Sequence, residues 1–339
     1  MTSALCLACD EAYLPYAAAV ARQAASVSAE PMQTVIICQD VSAESMARAR
    51  RWVGEACTFV DASARLQGRR LNASPHITRA AYLRLFVDLL PELEQFSKLI
   101  YVDCDVQFLE DPRLLARVPL EASPLLAAYD MRFLSSAEHR GYLPMADDSP
   151  YFNSGVLVFD LARVRQEGQL ERARQFASDL PALCFNHDQD ALNVGFRDGW
   201  QTMDWRWNAV SLFRERLPHD RFFARHFSGH KPWAQRKAGI EKRFVDDWRN
   251  LIRSSPWPEK FQEMPAGERF RAMIGPFGYR LESTAKRILY GTILGSANPR
   301  RRRRARLVTN LASVLARIED DAAHLRPARR SPEDSLTGP

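Results

Sequence analysis

Short apolar runs, each cut off by a charged or turn-forming residue, punctuate the first 250 residues and alternate with longer stretches of helical spacing. Residues 4–9 (ALCLAC), 32–38 (MQTVIIC), 57–61 (CTFVD), 125–129 (LLAAY) and 156–161 (VLVFDL) read as buried strands. Residues 15–28, 43–53 and 170–180 read as helices, the last stopping before Pro181. Strand–helix alternation with few hairpin signals predicts an α/β fold: a mostly parallel sheet with helices on both faces. Residues 62–77 read as irregular connection. Thr78 then caps a helix to about residue 90, stopped by Pro91, with Tyr82, Leu85, Phe86 and Leu89 in one stripe toward the core. Arg84 falls nearly opposite that stripe, as a solvated side chain or as a phosphate contact reaching over the sheet edge.

The run at 98–112, KLIYVDCDVQFLEDP, carries the strongest chemistry. An apolar strand ends in Asp103-Cys104-Asp105, and in extended chain side chains separated by one intervening residue point the same way. Ligands of open α/β sheets bind outside the carboxyl ends of the strands, and two hard oxygen donors there suit a divalent cation. Asp10 and Asp130 end other strands in the same manner, and Asp111-Pro112 opens a short helix. Tyr151-Phe152-Asn153-Ser154-Gly155 reads as a turn or a sugar-binding segment. Gly155 permits close backbone approach there, and Asn153 offers both donor and acceptor. In Asn186-His187-Asp188-Gln189-Asp190 the acids fit the first turn of a helix. Trp200, Trp205, Trp207 and Asn208 form core or a stacking surface. A late strand at 222–227 delivers His226, a common metal ligand, just before Gly229 and Lys231, the residue types a diphosphate needs.

Composition changes this picture little in the body and much in the tail. With 46% hydrophobic and 26% charged residues the chain can build a proper core. Its six cysteines lack the paired spacing of a zinc site and read as buried free thiols, with Cys6 and Cys9 on opposite faces of a strand. The amino terminus lacks the positive region of a secretory signal, and no run of eighteen apolar residues occurs; a cytoplasmic protein is expected. After position 268 there are 15 basic and 6 acidic residues, against 32 basic and 35 acidic before it. Five arginines at 300–304 precede an amphipathic stripe of Leu307, Val308, Leu311, Val314, Leu315 and Ile318. That pairing predicts peripheral attachment to an anionic membrane surface, on the inner face of the cytoplasmic membrane. No aromatic interleaving or known module supports nucleic-acid binding. The expected layout is a catalytic domain over 1–256, a basic helical extension over 257–325 and a disordered tail over 326–339.

Four blocks in order, IYVDCD, YFNSGVLVFDL, NHDQDALN and HFSGHKPW, resemble glycosyltransferase family 8 over about residues 4–250. That family includes bacterial lipopolysaccharide galactosyl- and glucosyltransferases and glycogenin. The resemblance implies a GT-A fold with a mixed sheet, and a metal-dependent, retaining hexosyltransferase using a UDP-sugar and Mn2+ or Mg2+. It implies that Asp103, Asp105 and His226 hold the cation. Asp10, in LACDEAY, would contact uracil, and Arg84 and Lys231 the phosphates, with Gly155 and Gly229 beside the donor. Asp130, Asn153, Asp188 and Gln189 would line the sugar and acceptor pocket. Two features depart from the family pattern, Ala12 in place of an asparagine and a segment from Gly229 to Lys231 that is one residue shorter, while Cys104 sits where the family varies freely. The expected acceptor is a glycan, of lipopolysaccharide type or otherwise lipid-linked. The alternatives are a protein or soluble-sugar acceptor, or a silent sugar-nucleotide-binding protein held at the membrane.

Overall fold

The first strand, β1 (Ser3–Asp10), sends alternate side chains to two separate cores: Leu5, Leu7 and Cys9 to one, Ala4, Cys6 and Ala8 to the other. Both faces of the central sheet are therefore covered, which is why its strands read as continuous apolar runs. The chain was described from a computed structural model that covers residues 2–74, 78–121, 123–130, 142–146, 149–210, 222–228, 231–233 and 242–260.

β2 (Gln33–Gln39), β3 (Cys57–Asp61) and β4 (Lys98–Val102) join β1 in a parallel block, linked by α1 (Leu14–Val27) and α2 (Ala43–Val53). β6 (Leu125–Tyr129), β7 (Phe152–Asp160) and β8 (Gln201–Thr202) complete seven strands in the order β3-β2-β1-β4-β7-β6-β8. β7 runs antiparallel to both β4 and β6, so the sheet is mixed. A separate pair, β5 (Val106–Phe108) with β9 (Ala224–His226), is antiparallel. One face packs against α1 and α7 (Lys242–Arg253); the other packs against α4 (Leu161–Glu167), α5 (Gln169–Asp179) and α6 (Asp188–Gly195). α3 (Arg113–Ala116) is one short turn after Asp111-Pro112, where the sequence places it.

Three expectations change. The segment Arg79–Leu89 winds as successive 3-10 turns rather than an α-helix, and Thr78 makes no side-chain cap. It lies between the sheet and α4–α6, so both of its sides are covered. Arg84, opposite the apolar stripe, is consequently only 3% exposed, whereas Leu89 at the segment's end is 42% exposed. Residues 152–155 are strand, not turn. A register break in β6 between Ala127 and Ala128 leaves β7 residues 154–156 without partners on that side, a bulge that re-aims side chains beside the site. The third concerns Asp103 to Asp105, which form a tight turn closed by the Val106 N–H on Asp103 O at 3.2 Å. Their carboxylates are brought together by that turn and not by extended-chain alternation.

All six cysteines are free and buried, as expected. Trp257 is buried in the same core as Trp233 and Trp248, and the Tyr16 hydroxyl donates to Lys260 O at 3.2 Å. The remainder of the 257–325 extension and the 326–339 tail lie outside the described residues. Among those described, no helix is long and apolar enough to cross a membrane.

Candidate active site

β4 ends at the centre of the sheet, and everything that follows is built on that position. The Asp103 N–H continues the ladder to Gly155 O at 2.9 Å. The chain then turns and enters β5, whose Val106 pairs with His226 of β9. The Phe227 N–H donates to Asp105 O at 2.9 Å, fastening the far end of β9 to the turn. Two segments 120 residues apart thus meet, and one ligand atom from each of Asp103, Asp105 and His226 lies within 4.8 Å of the others. His226 Nε2 is 3.4 Å from Asp105 Oδ1 and 3.7 Å from Asp103 Oδ2.

The imidazole stands where a side chain on residue 155 would otherwise be. A Cβ at Gly155 would clash with the His226 ring, 2.9 Å from Nε2 and closer still to Nδ1 and Cε1. Glycine is needed here for space; its φ is not in the left-handed region. The ring is oriented from behind: Nδ1 is 2.8 Å from Asn208 Oδ1, whose Nδ2 donates to Asn153 Oδ1 at 2.9 Å. An amide oxygen can only accept, so Nδ1 donates to Asn208 and Nε2 is the ring nitrogen turned toward the carboxylates.

The carboxylates differ in their surroundings. Asp105 is buried, which pushes its pKa up, but Lys231 and His226 overcome this and hold it well below the usual carboxylate range. Lys231 Nζ donates to Asp105 Oδ2 and, at 3.4 Å, to Phe227 O. Arg84 reaches across from the 79–89 segment. Its Nη2 donates to Asp103 Oδ1 at 2.6 Å, its Nη1 to Ser154 O at 2.6 Å, and its Nε lies 3.0 Å from Asp188 Oδ2. Burial pushes the Asp188 carboxyl up to about 6, only partly offset by Arg84.

On the other side of Gly155 lies a continuous network. The Gln189 Nε2 group donates to Asp130 Oδ2 at 3.0 Å and to the Tyr151 hydroxyl at 3.2 Å. Gln189 Oε1 accepts from the Ser154 N–H at 3.0 Å and from Asn153 Nδ2 at 3.2 Å. Tyr151 in turn donates to Asp190 at 2.5 Å, and Asn193 clamps the backbone of Phe152 from both sides at 2.9 and 3.0 Å. Asp190 also accepts the Asn186 N–H at 2.6 Å, so it partly fulfils the helix-start role expected of it.

The structure therefore gathers Arg84, Asp103, Asp105, Asp130, Asn153, Gly155, Asp188, Gln189, His226 and Lys231 around one sheet end. Asp10 sits at the neighbouring end of β1, where its Oδ1 accepts the Tyr13 N–H at 2.9 Å at the start of α1. Gly229 lies outside the described residues. The support roles of Asn208, Tyr151 and Asn193 were not legible beforehand. Asn208 stood out only as a polar residue among tryptophans, two of which, Trp205 and Trp207, prove to be core.

The residues suit a divalent cation. Among the described residues, the permanent cations paired with Asp103, Asp105 and Asp188 are Arg84 and Lys231. Buried charge of one sign is expensive unless compensated. Two carboxylate oxygens and the imidazole Nε2 would together form a donor set for Mn2+ or Mg2+.

A family model described as "Glycosyl transferase family 8" matches residues 4–237. The chain is 34% identical over 146 residues to "General stress protein A" of Bacillus subtilis, covering 42% of this chain and 50% of that protein. It is 24% identical over 168 residues to "Glycosyltransferase GlyF" of Streptococcus pneumoniae, covering 47% and 39%. The chain thus spans about half or less of the length of these curated relatives. Among solved structures it resembles the galactosyltransferase LgtC in complex with donor and acceptor sugar analogs. That match has a TM-score of 0.64 and 21% identity, over 80% of this chain and 100% of LgtC. The bifunctional glycosyltransferase WbbM gives a TM-score of 0.60 at 20% identity, over 77% and 51%. These likenesses establish the GT-A fold.

Proposed function

Because the chain belongs to glycosyltransferase family 8, we propose that it transfers a hexose from a UDP-sugar to a glycan acceptor, with the aid of a divalent cation and with retention at the anomeric carbon. The observation that carries this reading is the convergence of Asp103, Asp105 and His226 at the carboxyl end of β4. A cation held by those three would neutralise charge on a departing diphosphate. Lys231, paired with Asp105, would add its positive charge to the same leaving group, as electrostatic stabilisation requires. Arg84 fixes Asp103 and Asp188 and stands next to the phosphate path. Asp10 is proposed to contact the uracil.

Asn153, Asp130, Asp188 and Gln189 would hold the donor sugar and the acceptor hydroxyl. Retention needs either a nucleophile on the sugar's β-face or attack by the acceptor from the leaving group's own face. Gln189 Oε1 already accepts three hydrogen bonds, from Asn153 Nδ2, the Ser154 N–H and the Ser154 hydroxyl, which lowers its nucleophilicity. That supports same-face attack. The acceptor we propose is of lipopolysaccharide or other lipid-linked type.

A panel of nucleotide sugars, scored by released UDP with and without Mn2+, tests the reading. One UDP-hexose should release UDP in Mn2+ and at least about 100-fold more slowly in chelator. Equal rates in both conditions would remove the metal, and no release from any nucleotide sugar would leave a binding protein only.

Peripheral attachment to the inner face of the membrane is part of the proposal, and it rests on the arginines at 300–304 and the apolar stripe after them. Full-length protein should float with anionic vesicles, and changing those five arginines to glutamine should abolish flotation. Unchanged flotation of the variant would refute the assignment.

A further inference from the structure

A second cleft, of about 420 Å³, opens on the α5–α6 side and is lined by Arg69, Arg70 and Arg79 together with Asn72, Pro181 and Ala182. No acidic side chain lines it among the described residues. Several other arginines among the described residues are paired with carboxylates: Arg84 with Asp103 and Asp188, Arg113 with Asp111, Arg174 with Asp88, Arg206 with Asp204. The three at this cleft meet no carboxylate among the described residues. Arg69 and Arg79 are positioned through backbone carbonyls: Arg69 Nε donates to Arg65 O at 2.8 Å, and Arg79 Nη2 to Leu66 O and, at 3.3 Å, to Arg69 O. The Arg69 guanidinium also lies 5.0 Å from the centre of the Phe86 ring. Arg79 Nε is buried without a hydrogen-bond partner. The Arg69 and Arg79 guanidinium groups are thus tethered without being neutralised; Arg69 and Arg70 are exposed and Arg79 is half-buried.

The cleft is coupled to the transfer site through its own wall. Asn72 Nδ2 donates to Cys184 O at 2.7 Å, and His187 Nδ1 meets Asn72 O at 3.0 Å. His187 is held at φ +56°, uncommon for a non-glycine residue, immediately before Asp188 and Gln189. Two apolar side chains flank the lining residues Pro181 and Ala182: Leu180 is 46% and Phe185 61% exposed.

We infer that this cleft binds a phosphate group carried by the acceptor, an inference that rests on the glycosyltransferase reading above. Guanidinium groups match phosphate oxygens in bidentate geometry, and three converging positive charges with no acid between them favour a dianion over a neutral sugar. The donor's diphosphate is served separately by Lys231 and the Asp103–Asp105–His226 cluster, so the cleft is left for a second anion.

Binding of glucose 6-phosphate and of glucose to the full chain, with UDP and Mn2+ saturating, provides the test. Glucose 6-phosphate should bind and glucose should not. Arg70→Glu, at an exposed position without a side-chain hydrogen bond or ion pair to described residues, should weaken the phosphate ester by about tenfold or more and leave UDP binding unchanged. Arg79→Lys, which keeps charge but loses the planar fork, should weaken it less. Dihexanoyl phosphatidate separates the sources: tighter binding than glucose 6-phosphate identifies a lipid-borne phosphate, and equal binding a soluble one. Equal affinity for glucose and its phosphate, or no effect of Arg70→Glu, would overturn the inference. Failure of UDP and Mn2+ to bind, with the phosphate ester still captured in the Arg70-dependent manner, would strike the glycosyltransferase reading and leave the anion site standing.

Discussion

Asp105→Ala should lower Mn2+-dependent UDP release by about 10³-fold or more, since metal-ion stabilisation of a leaving group is worth several kcal/mol. The residue is 4% exposed, holds Lys231 and faces His226 Nε2 at 3.4 Å, so its removal takes away one ligand and frees one cation at once. Asp105→Asn separates these effects, because it keeps the volume and a weak oxygen donor. Its turnover should fall almost as far, with less loss of fold. A variant retaining more than about a tenth of wild-type Mn2+-dependent release would end the mechanism.

Stability in chelator should respond with a definite sign. The folded Asp105 carboxyl is held below its usual range despite burial. Its contribution is therefore complete above the unfolded value of about 4 and is lost as pH falls below it. Denaturant melts of wild type and Asp105→Asn should diverge at pH 7 and converge on acidification. Parallel curves down to low pH would contradict the pairing with Lys231.

Gly155→Ala should weaken Mn2+ binding about 10–100-fold, the range seen when a ligand's supporting shell is disturbed. The added methyl would lie far inside van der Waals contact with the His226 ring, so the imidazole or the strand must shift. Overpacking of this kind costs about 1–3 kcal/mol. The diagnostic is the background. With His226→Ala already present the space is empty, and alanine at 155 should be neutral or stabilising by about 0.5–1 kcal/mol, because glycine in a strand interior is itself unfavourable. Calorimetric Mn2+ titrations and melts of the four proteins decide the matter. The same destabilisation in both backgrounds would show that the methyl clashes with something other than the imidazole.

The apolar runs and the residues that end them determined most of the architecture. Strands at 57–61 and 125–129 lie where the pattern predicts them, as do the free thiols and the short helix after Asp111-Pro112. Those are local consequences: a strand buried on both faces must be apolar throughout, and proline fits a first helical turn. The site residues were legible as well, but as types at strand ends and through family resemblance, without the reasons for their identities.

Tertiary structure alone decided how they work together. Arg84 looks like a surface arginine until the 79–89 segment is covered from both sides; it then becomes a buried link between Asp103 and Asp188. Gly155 looks like a turn glycine until β9 places an imidazole against it. Asn208 has no visible task until the same ring needs an acceptor for its Nδ1 proton. Each of these depends on a contact between segments distant in the chain, set by strand pairing and layer packing, and no periodicity along the sequence encodes such a contact.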